Sequence, residues 1–90
     1  MNMLSTRETN NEGDIFWINS LGLLHRENGP AVERINGNRG WYINGKRHRE
    51  NGPAIEYGDG DKSWYLDDIY YTKEQYIKKI RLKKIQFLKE

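Results

Sequence analysis

The stretch HRENGPAVE (residues 25–33) recurs as HRENGPAIE (48–56), 23 positions further along the chain, with eight of nine residues identical. An aromatic pair followed by an Asn or Asp recurs with it, in FWINS (16–20), WYING (41–45) and WYLDD (64–68). A fixed period of 20 to 50 residues is typical of repeat architectures, whose end units are atypical. The 90 residues therefore contain about two and a half units of about 23 residues each.

Each unit reads as a pair of short strands joined by tight turns. Asn36-Gly37 and Asn44-Gly45 predict type I′ hairpin turns, because both central residues of that turn need a positive φ. The runs PAVERI (30–35) and PAIEY (53–57) are interpreted as short β-strands. Each run starts with a proline, which suits a strand start or edge because proline donates no backbone hydrogen bond.

The repeated phrase itself is interpreted as a building block that turns the chain from one hairpin to the next. We call residues 25–31 the first corner and residues 48–54 the second corner. Glycine and proline would shape the backbone there, and histidine would bond to it or pack on a tryptophan. The predicted corner residues are His25, Gly29, Pro30, His48, Gly52 and Pro53.

Alternation along the strands predicts two different faces of the sheet. In WYI and WYL, Trp41 and Trp64 point to one side, while Tyr42 and Tyr65 point to the other. Both faces are thus partly apolar, and we expect the end of the chain to cover one of them.

That end of the chain predicts an amphipathic helix. TKEQ (72–75) is a capping box, and residues 73–89 contain no Gly, Pro, Asn or Asp. At 100° per residue, one stripe suited to docking collects five apolar side chains. They are Tyr76, Ile77, Ile80, Phe87 and Leu88, whereas Leu82 and Ile85 lie off the stripe.

These elements predict an α+β fold in a single domain. Residues 1–12 are polar and without period, which predicts a flexible N-terminal arm. Residues 13–71 would form an antiparallel hairpin-repeat sheet of about five or six strands, and residues 72–90 the C-terminal helix that closes it.

Composition indicates the cellular compartment of the protein and how its charge is distributed along the chain. The chain has no cysteine, no long apolar run and no hydrophobic signal core, so we expect a cytoplasmic protein without disulfides. Residues 72–90 carry seven basic and two acidic side chains, while the remainder is net acidic. Such asymmetry indicates either mutual attraction between the two parts or two different binding faces.

The phrase WYINGKRHRENGPAIEY (41–57), continued by DGDKSWYLDD (59–68), resembles the MORN-like repeat in its HRxxGPA form. Similar short repeats are common in bacteriophage, giant-virus and bacterial proteins. The resemblance covers residues 14–71 and implies consecutive antiparallel hairpins. It also implies protein–protein contacts, sometimes lipid contacts, and, for a phage protein, action in the host cytoplasm.

Candidate chemistry in the repeats is better explained by structure. His25 and His48 could begin a metal site, but a site needs three or four ligands and the nearby Glu27 and Glu50 each follow an arginine. We expect Arg26-Glu27 and Arg49-Glu50 to form a ladder of ion pairs between units, although the two arginines could instead bind an acidic partner. DGDKS (59–63) imitates a calcium loop but has Trp64 where the loop needs glycine, so it predicts a turn.

No nucleophile elbow, phosphate-binding loop or dinucleotide fingerprint is present in the sequence. A catalytic centre needs one asymmetric constellation, whereas this chain duplicates its turns. We therefore expect a non-enzymatic protein with no cofactor, no catalytic residue and no bound metal.

The resulting hypothesis is a protein-interaction module, plausibly a phage-encoded inhibitor of a host protein complex such as a CRISPR-type defence effector. One alternative is nucleic-acid or anionic-membrane binding through the basic helix. Another is self-association through the helix and the free sheet edge. The predicted partner-binding residues are Arg26, Tyr42, Arg49, Tyr65, Lys79, Leu82, Lys83 and Ile85.

Overall fold

The computed structural model describes residues 4–89, and this part of the chain contains nine β-strands and one α-helix. Residues 1–3 of the predicted arm and residue 90 of the predicted helix lie outside the described residues. The elements are β1 (Ser5–Thr9), β2 (Ile15–Asn19), β3 (Val32–Glu33), β4 (Arg39–Gly40), β5 (Tyr42–Ile43), β6 (Lys46–Arg47), β7 (Ile55–Glu56), β8 (Lys62–Leu66), β9 (Ile69–Tyr71) and α1 (Lys73–Lys89).

Seven strands form one antiparallel sheet in the order β1-β2-β3-β4-β7-β8-β9, and β5 pairs with β6 as a separate two-stranded hairpin. The predicted α+β fold, an antiparallel hairpin sheet capped by a C-terminal helix, is confirmed. The strands outnumber the five or six expected, because β1 adds an edge and residues 39–43 are divided at Trp41 into β4 and β5.

Residues 5–9 form strand β1 and not the flexible arm that the sequence predicted for residues 1–12. This strand pairs with β2 along its whole length, from Ser5 opposite Asn19 to Thr9 opposite Ile15. The Ser5 hydroxyl also donates a hydrogen bond to the His25 carbonyl oxygen at 2.6 Å. Backbone pairing with an aromatic neighbour strand therefore holds this polar segment in place.

Two kinds of hairpin turn alternate along the chain. Asn44 and Gly45 have φ values of 49° and 80°, as the predicted type I′ turn requires. The same prediction was wrong for Asn36-Gly37, where only Gly37 has a positive φ. There Gly37 donates to the Arg34 carbonyl oxygen and Arg34 donates to that of Asn38, both at 2.9 Å, which closes a three-residue loop.

Small side chains at the corners occupy the most buried positions of the sheet. Ala31 and Ala54, one from each corner, are completely buried, and their carbonyl oxygens accept hydrogen bonds from the Trp17 and Trp41 amides at 2.8 and 2.7 Å. Leu66, which follows the aromatic pair of the third unit, is also buried. The alanine that ends HRENGPA therefore lets successive units approach closely.

Helix α1 begins at the predicted capping box but docks over less of its length than predicted. Thr72 and Gln75 exchange the two reciprocal hydrogen bonds of the box, at 3.0 and 3.2 Å. Tyr76 is buried, at 5% exposed, and Ile80 is half-buried, whereas the other three members of the predicted docking stripe, Ile77, Phe87 and Leu88, are exposed. The first turns of α1 are thus anchored, and its second half stands away from the sheet.

Candidate functional site

Each corner holds an arginine over the ring of a tryptophan that precedes it in the chain. The Arg26 guanidinium carbon lies 4.3 Å from the centroid of the Trp17 ring, and that of Arg49 lies 3.7 Å from the Trp41 ring. A guanidinium stacked on an indole gains both cation–π attraction and buried area. The predicted partner-binding arginines are therefore engaged within the fold.

The same arginines close the corner by bonding to residues further along it. Arg26 donates to the Pro30 carbonyl oxygen at 3.1 Å, and Arg49 donates to that of Pro53 at 3.0 Å. Each then pairs with the glutamate seven residues on, Glu33 at 3.7 Å and Glu56 at 3.0 Å.

The predicted ladder of ion pairs between units is therefore wrong, because each arginine pairs with a glutamate of its own unit. Each arginine instead reaches past its own corner to a glutamate of the strand that follows, Glu33 of β3 or Glu56 of β7.

Glycine is needed at the fifth position of each HRENGPA phrase, because the arginine lies against it. A Cβ added to Gly29 would come within 2.9 Å of the Arg26 guanidinium carbon, and one added to Gly52 within 2.9 Å of that of Arg49. Such contacts are far inside van der Waals distance. The two corners thus share one geometry, with the guanidinium enclosed between indole ring and glycine backbone.

The histidines of the two corners fasten each unit to the turn of the next. The His25 Nδ1 accepts a hydrogen bond from the Asn44 amide at 2.9 Å, and the His48 Nδ1 accepts one from the Asp67 amide at 3.0 Å. This confirms the prediction that the imidazoles bond to turn backbone. Since each Nδ1 accepts, the proton of the neutral ring lies on Nε2.

In the third unit, helix α1 takes the place of a further corner. The Lys73 ammonium lies 5.9 Å from the centroid of the Trp64 ring, in the role that arginine has over Trp17 and Trp41. One turn later, the Tyr76 hydroxyl donates to the Arg49 carbonyl oxygen at 2.6 Å and accepts from the Gly52 amide at 3.2 Å. Burial raises the pKa of Tyr76, so the phenol stays protonated and able to donate at neutral pH.

Between the two corners and the free half of α1 lies an open groove of about 1380 Å³, which we call the repeat–helix groove. Trp41 and Ile43 line it from the repeats, Ile80 and Phe87 line it from the helix, and its rim carries charges of both signs. It is lined by Arg26, Glu27, Asn28, Gly29, Trp41, Ile43, His48, Arg49, Glu50, Asn51, Asp67, Ile80, Lys83, Lys84, Gln86 and Phe87.

Polar contacts at the rim connect the helix to the second corner. The Glu50 carboxylate lies 3.0 Å from His48 Nε2 and 3.3 Å from the Lys83 ammonium. The hydrogen bond from His48, followed by the attraction of Lys83, holds the pKa of Glu50 below its ordinary value. Glu50 is therefore ionised at neutral pH and helps to hold α1 over the groove.

The predicted tyrosines lie on the opposite face of the sheet. Tyr42 and Tyr65 line a smaller hollow of about 310 Å³ together with Phe16 and Arg47. The Arg47 guanidinium carbon lies 4.2 Å from the Tyr65 ring centroid, and its Nε donates to Asp68 at 2.6 Å. This arrangement confirms the predicted alternation, with Trp41 facing the helix and Tyr42 facing away.

The eight predicted partner-binding residues thus fall into three places. Arg26, Arg49 and Lys83 line the repeat–helix groove, and Tyr42 and Tyr65 line the hollow on the other face. Lys79, Leu82 and Ile85 are exposed on α1 and line neither.

Sequence reasoning did not assign Trp41, Ile80 or Phe87 to a binding surface. Their angles around the helix predict that Ile80 and Phe87 face the sheet, but such angles cannot show that the space between helix and sheet is open.

Within residues 4–89, no three His, Cys, Asp or Glu side chains converge as a metal site would require, and no helix is long and apolar enough to cross a bilayer. Comparison of the chain with protein-family models, with curated proteins and with solved structures finds no match. The resemblance to MORN-like repeats therefore stays a prediction, resting on the repeated residues themselves.

Proposed function

We propose that this chain is a non-enzymatic protein-interaction module that holds its partner in the repeat–helix groove. The observation that carries the proposal is the half-docked helix. Phe87 lies on the sheet-facing stripe of α1 and lines the groove, yet it is 75% exposed. An aromatic side chain held over an open space beside Trp41 is a ready anchor for a partner, since aromatic residues dominate binding energy in protein interfaces.

The composition of the groove favours a polypeptide partner. Trp41, Ile43, Ile80 and Phe87 provide an apolar centre, and the charged rim includes both Glu27 and Lys84. Protein interfaces combine such an apolar core with a polar rim of mixed sign. The extra cations of α1 would steer association with an acidic partner surface.

The resemblance to phage and viral repeats supports a host protein complex as the partner class, with a defence effector of the CRISPR type as one example. In such a role the chain would act by occupying a surface that the complex needs. No reaction on the partner is required for this kind of inhibition.

Affinity capture from host lysate tests the proposal with a matched pair of variants. Phe87→Asp changes a residue that lines the groove, while Leu88→Asp changes its exposed neighbour, which does not. We expect wild type and Leu88→Asp to retain one protein stoichiometrically at low and high salt, and Phe87→Asp to lose it. Equal capture by all three, or repeated failure with folded protein, would contradict the proposal.

A second candidate function is binding of nucleic acid or anionic membrane through α1. It is favoured by the helix cations Lys78, Lys79, Arg81 and Lys84, none of which lies in an ion pair with an acidic side chain among residues 4–89. Free cations along one helix release counterions on meeting phosphates, so affinity should fall steeply with salt.

The test measures binding of the full chain to single-stranded DNA and to phosphatidylserine vesicles at several salt concentrations. The triple variant Lys79→Glu, Lys83→Glu and Lys84→Glu should abolish any binding that depends on the helix. An affinity that does not fall as the salt concentration rises, or that persists in the triple variant, would contradict this candidate function.

A further inference from the structure

The second corner contains a socket for a phenol, and it is filled from within the chain. One oxygen atom, the Tyr76 hydroxyl, satisfies two backbone groups at once by donating to Arg49 O and accepting from Gly52 N. The donor and acceptor are brought together by the corner geometry, in which the Arg49 guanidinium lies against Gly52. The socket is therefore a property of the repeated phrase, whereas its occupant comes from α1.

The first corner repeats that geometry closely. The arginine-to-proline hydrogen bonds differ by 0.1 Å between the corners (3.1 and 3.0 Å), and so do the bonds that the two histidines accept (2.9 and 3.0 Å). A Cβ at either glycine would meet the guanidinium carbon at the same 2.9 Å. The Arg26 carbonyl and the Gly29 amide must consequently be disposed like those of Arg49 and Gly52.

No occupant corresponds to Tyr76 at the first corner. Among residues 4–89, none donates a hydrogen bond to Arg26 O and none accepts one from Gly29 N. Both residues line the repeat–helix groove, where Trp41 and Phe87 offer aromatic surface to a ring that enters.

We propose that the first corner is an open copy of this socket and binds the side chain of a tyrosine presented by the partner protein, an inference that rests on the proposed function above. The partner's phenol donates to the Arg26 carbonyl oxygen and accepts from the Gly29 amide, while its ring lies in the groove beside Trp41. A phenylalanine fills the same space but leaves both backbone groups without a partner. Sites built to bond a hydroxyl reject analogues that lack it.

The test uses N-acetyl-tyrosinamide as the probe and N-acetyl-phenylalaninamide as its matched control, titrated into the ¹⁵N-labelled full chain. The two corners serve as internal references for each other, because Gly29 and Gly52 report on equivalent amides. We expect a saturable shift of the Gly29 amide with the tyrosine probe, an affinity about tenfold weaker for the phenylalanine probe, and no shift at Gly52.

A variant that empties the second socket checks the equivalence. In Tyr76→Ala, the Gly52 amide should begin to respond to the tyrosine probe while Gly29 responds as before. Absence of a saturable Gly29 shift in the wild type overturns the proposal, whether or not Gly52 responds in the variant. Equal affinities for the tyrosine and phenylalanine probes overturn it too, since the hydroxyl would then contribute nothing.

The result separates this inference from the function on which it rests. If Phe87→Asp abolishes capture of the partner but the probe never moves Gly29, the interaction module stands and the tyrosine socket falls. If the probe binds at Gly29 but capture does not depend on Phe87, the tyrosine socket is supported, and the proposal that the partner binds in the repeat–helix groove is contradicted.

Discussion

The Arg49 guanidinium carbon lies 3.7 Å from the centre of the Trp41 ring, and its side chain is only 21% exposed. It also bonds to the Pro53 carbonyl oxygen and pairs with Glu56, so one side chain joins Trp41, the second corner and strand β7. Removal of this side chain would eliminate three interactions at once, namely the contact with the Trp41 ring, the hydrogen bond to Pro53 and the ion pair with Glu56.

Arg49→Ala should therefore lower the free energy of unfolding by about 2 to 3 kcal/mol. Arg49→Lys should recover little of the loss, because an ammonium cannot stack flat and bond to Pro53 and Glu56 together. Urea unfolding measures both. The control is Arg39→Ala, whose side chain is 54% exposed and 4.0 Å from Glu56. A loss for Arg39→Ala as large as that for Arg49→Ala would contradict the assigned role.

Tyr76→Phe should weaken the docking of α1 by about 1 to 2 kcal/mol, because the ring stays while both backbone hydrogen bonds at the second corner are lost. Hydrogen exchange of amides in residues 76–84 should accelerate, while amides in the sheet exchange as before. Tyr70→Phe is the matched control, since Tyr70 is exposed and its hydroxyl makes no hydrogen bond within residues 4–89. Unchanged exchange in Tyr76→Phe would show that α1 does not depend on the phenol.

Acid should weaken the fold through Asp14, which is buried beside the first hairpin. The amide of Ile35 donates to its carboxylate at 2.9 Å, Asn10 donates at 3.0 Å, and Arg34 pairs with it at 3.3 Å. The Ile35 amide, then Asn10 and then Arg34, hold the pKa of Asp14 below its ordinary value.

A carboxyl group with a depressed pKa in the folded state adds stability above its unfolded pKa, about 3.9 for Asp. That contribution is lost as the pH falls through the lower folded value. Asp14→Asn should thus be less stable than wild type at pH 7, and the difference should shrink below about pH 4. Urea unfolding at pH 7 and pH 3 measures it, with the exposed Asp61→Asn as the control. A difference that is the same at both pH values would show that the charge of Asp14 is not involved.

The two corner histidines should differ in what their removal costs. His25 is 4% exposed, whereas the His48 side chain is 14% exposed and lies close to the groove rim. His25→Ala leaves the Asn44 amide without its part-buried partner and removes a buried ring, so we expect a loss of about 2 kcal/mol or more. His48→Ala should cost about half as much, because water can reach the Asp67 amide. Equal losses in urea unfolding would contradict the assigned difference in burial.

The hairpins, the corners and the capping box were predictable from sequence, because each rests on local backbone chemistry. Strand β1 was not predictable, since four of the five residues in Ser5–Thr9 are exposed and no hydrophobic alternation marks them. The carboxylate partners of the arginines were also missed, because Glu33 and Glu56 approach only after the corner has turned.

The groove shows the same limit of sequence reasoning. The angle around the helix correctly put Ile80 and Phe87 on the side that faces the sheet. How closely a helix approaches a sheet depends on the anchors that hold it, here Tyr76 and Lys83 with Glu50. Those anchors all lie on the second corner, so the space over the first corner stays open, and no periodicity in the sequence reports that.

Each unit is joined to the next by bonds whose two ends both recur at the repeat spacing, as the pairs His25–Asn44 and His48–Asp67 illustrate. If a further copy of residues 25–47 were inserted after Arg47, its histidine and its turn would consequently meet matching hydrogen-bond partners in the units after and before it. The repeat region could therefore be extended by whole units, between strand β1 at one end and helix α1, with Lys73 over Trp64, at the other.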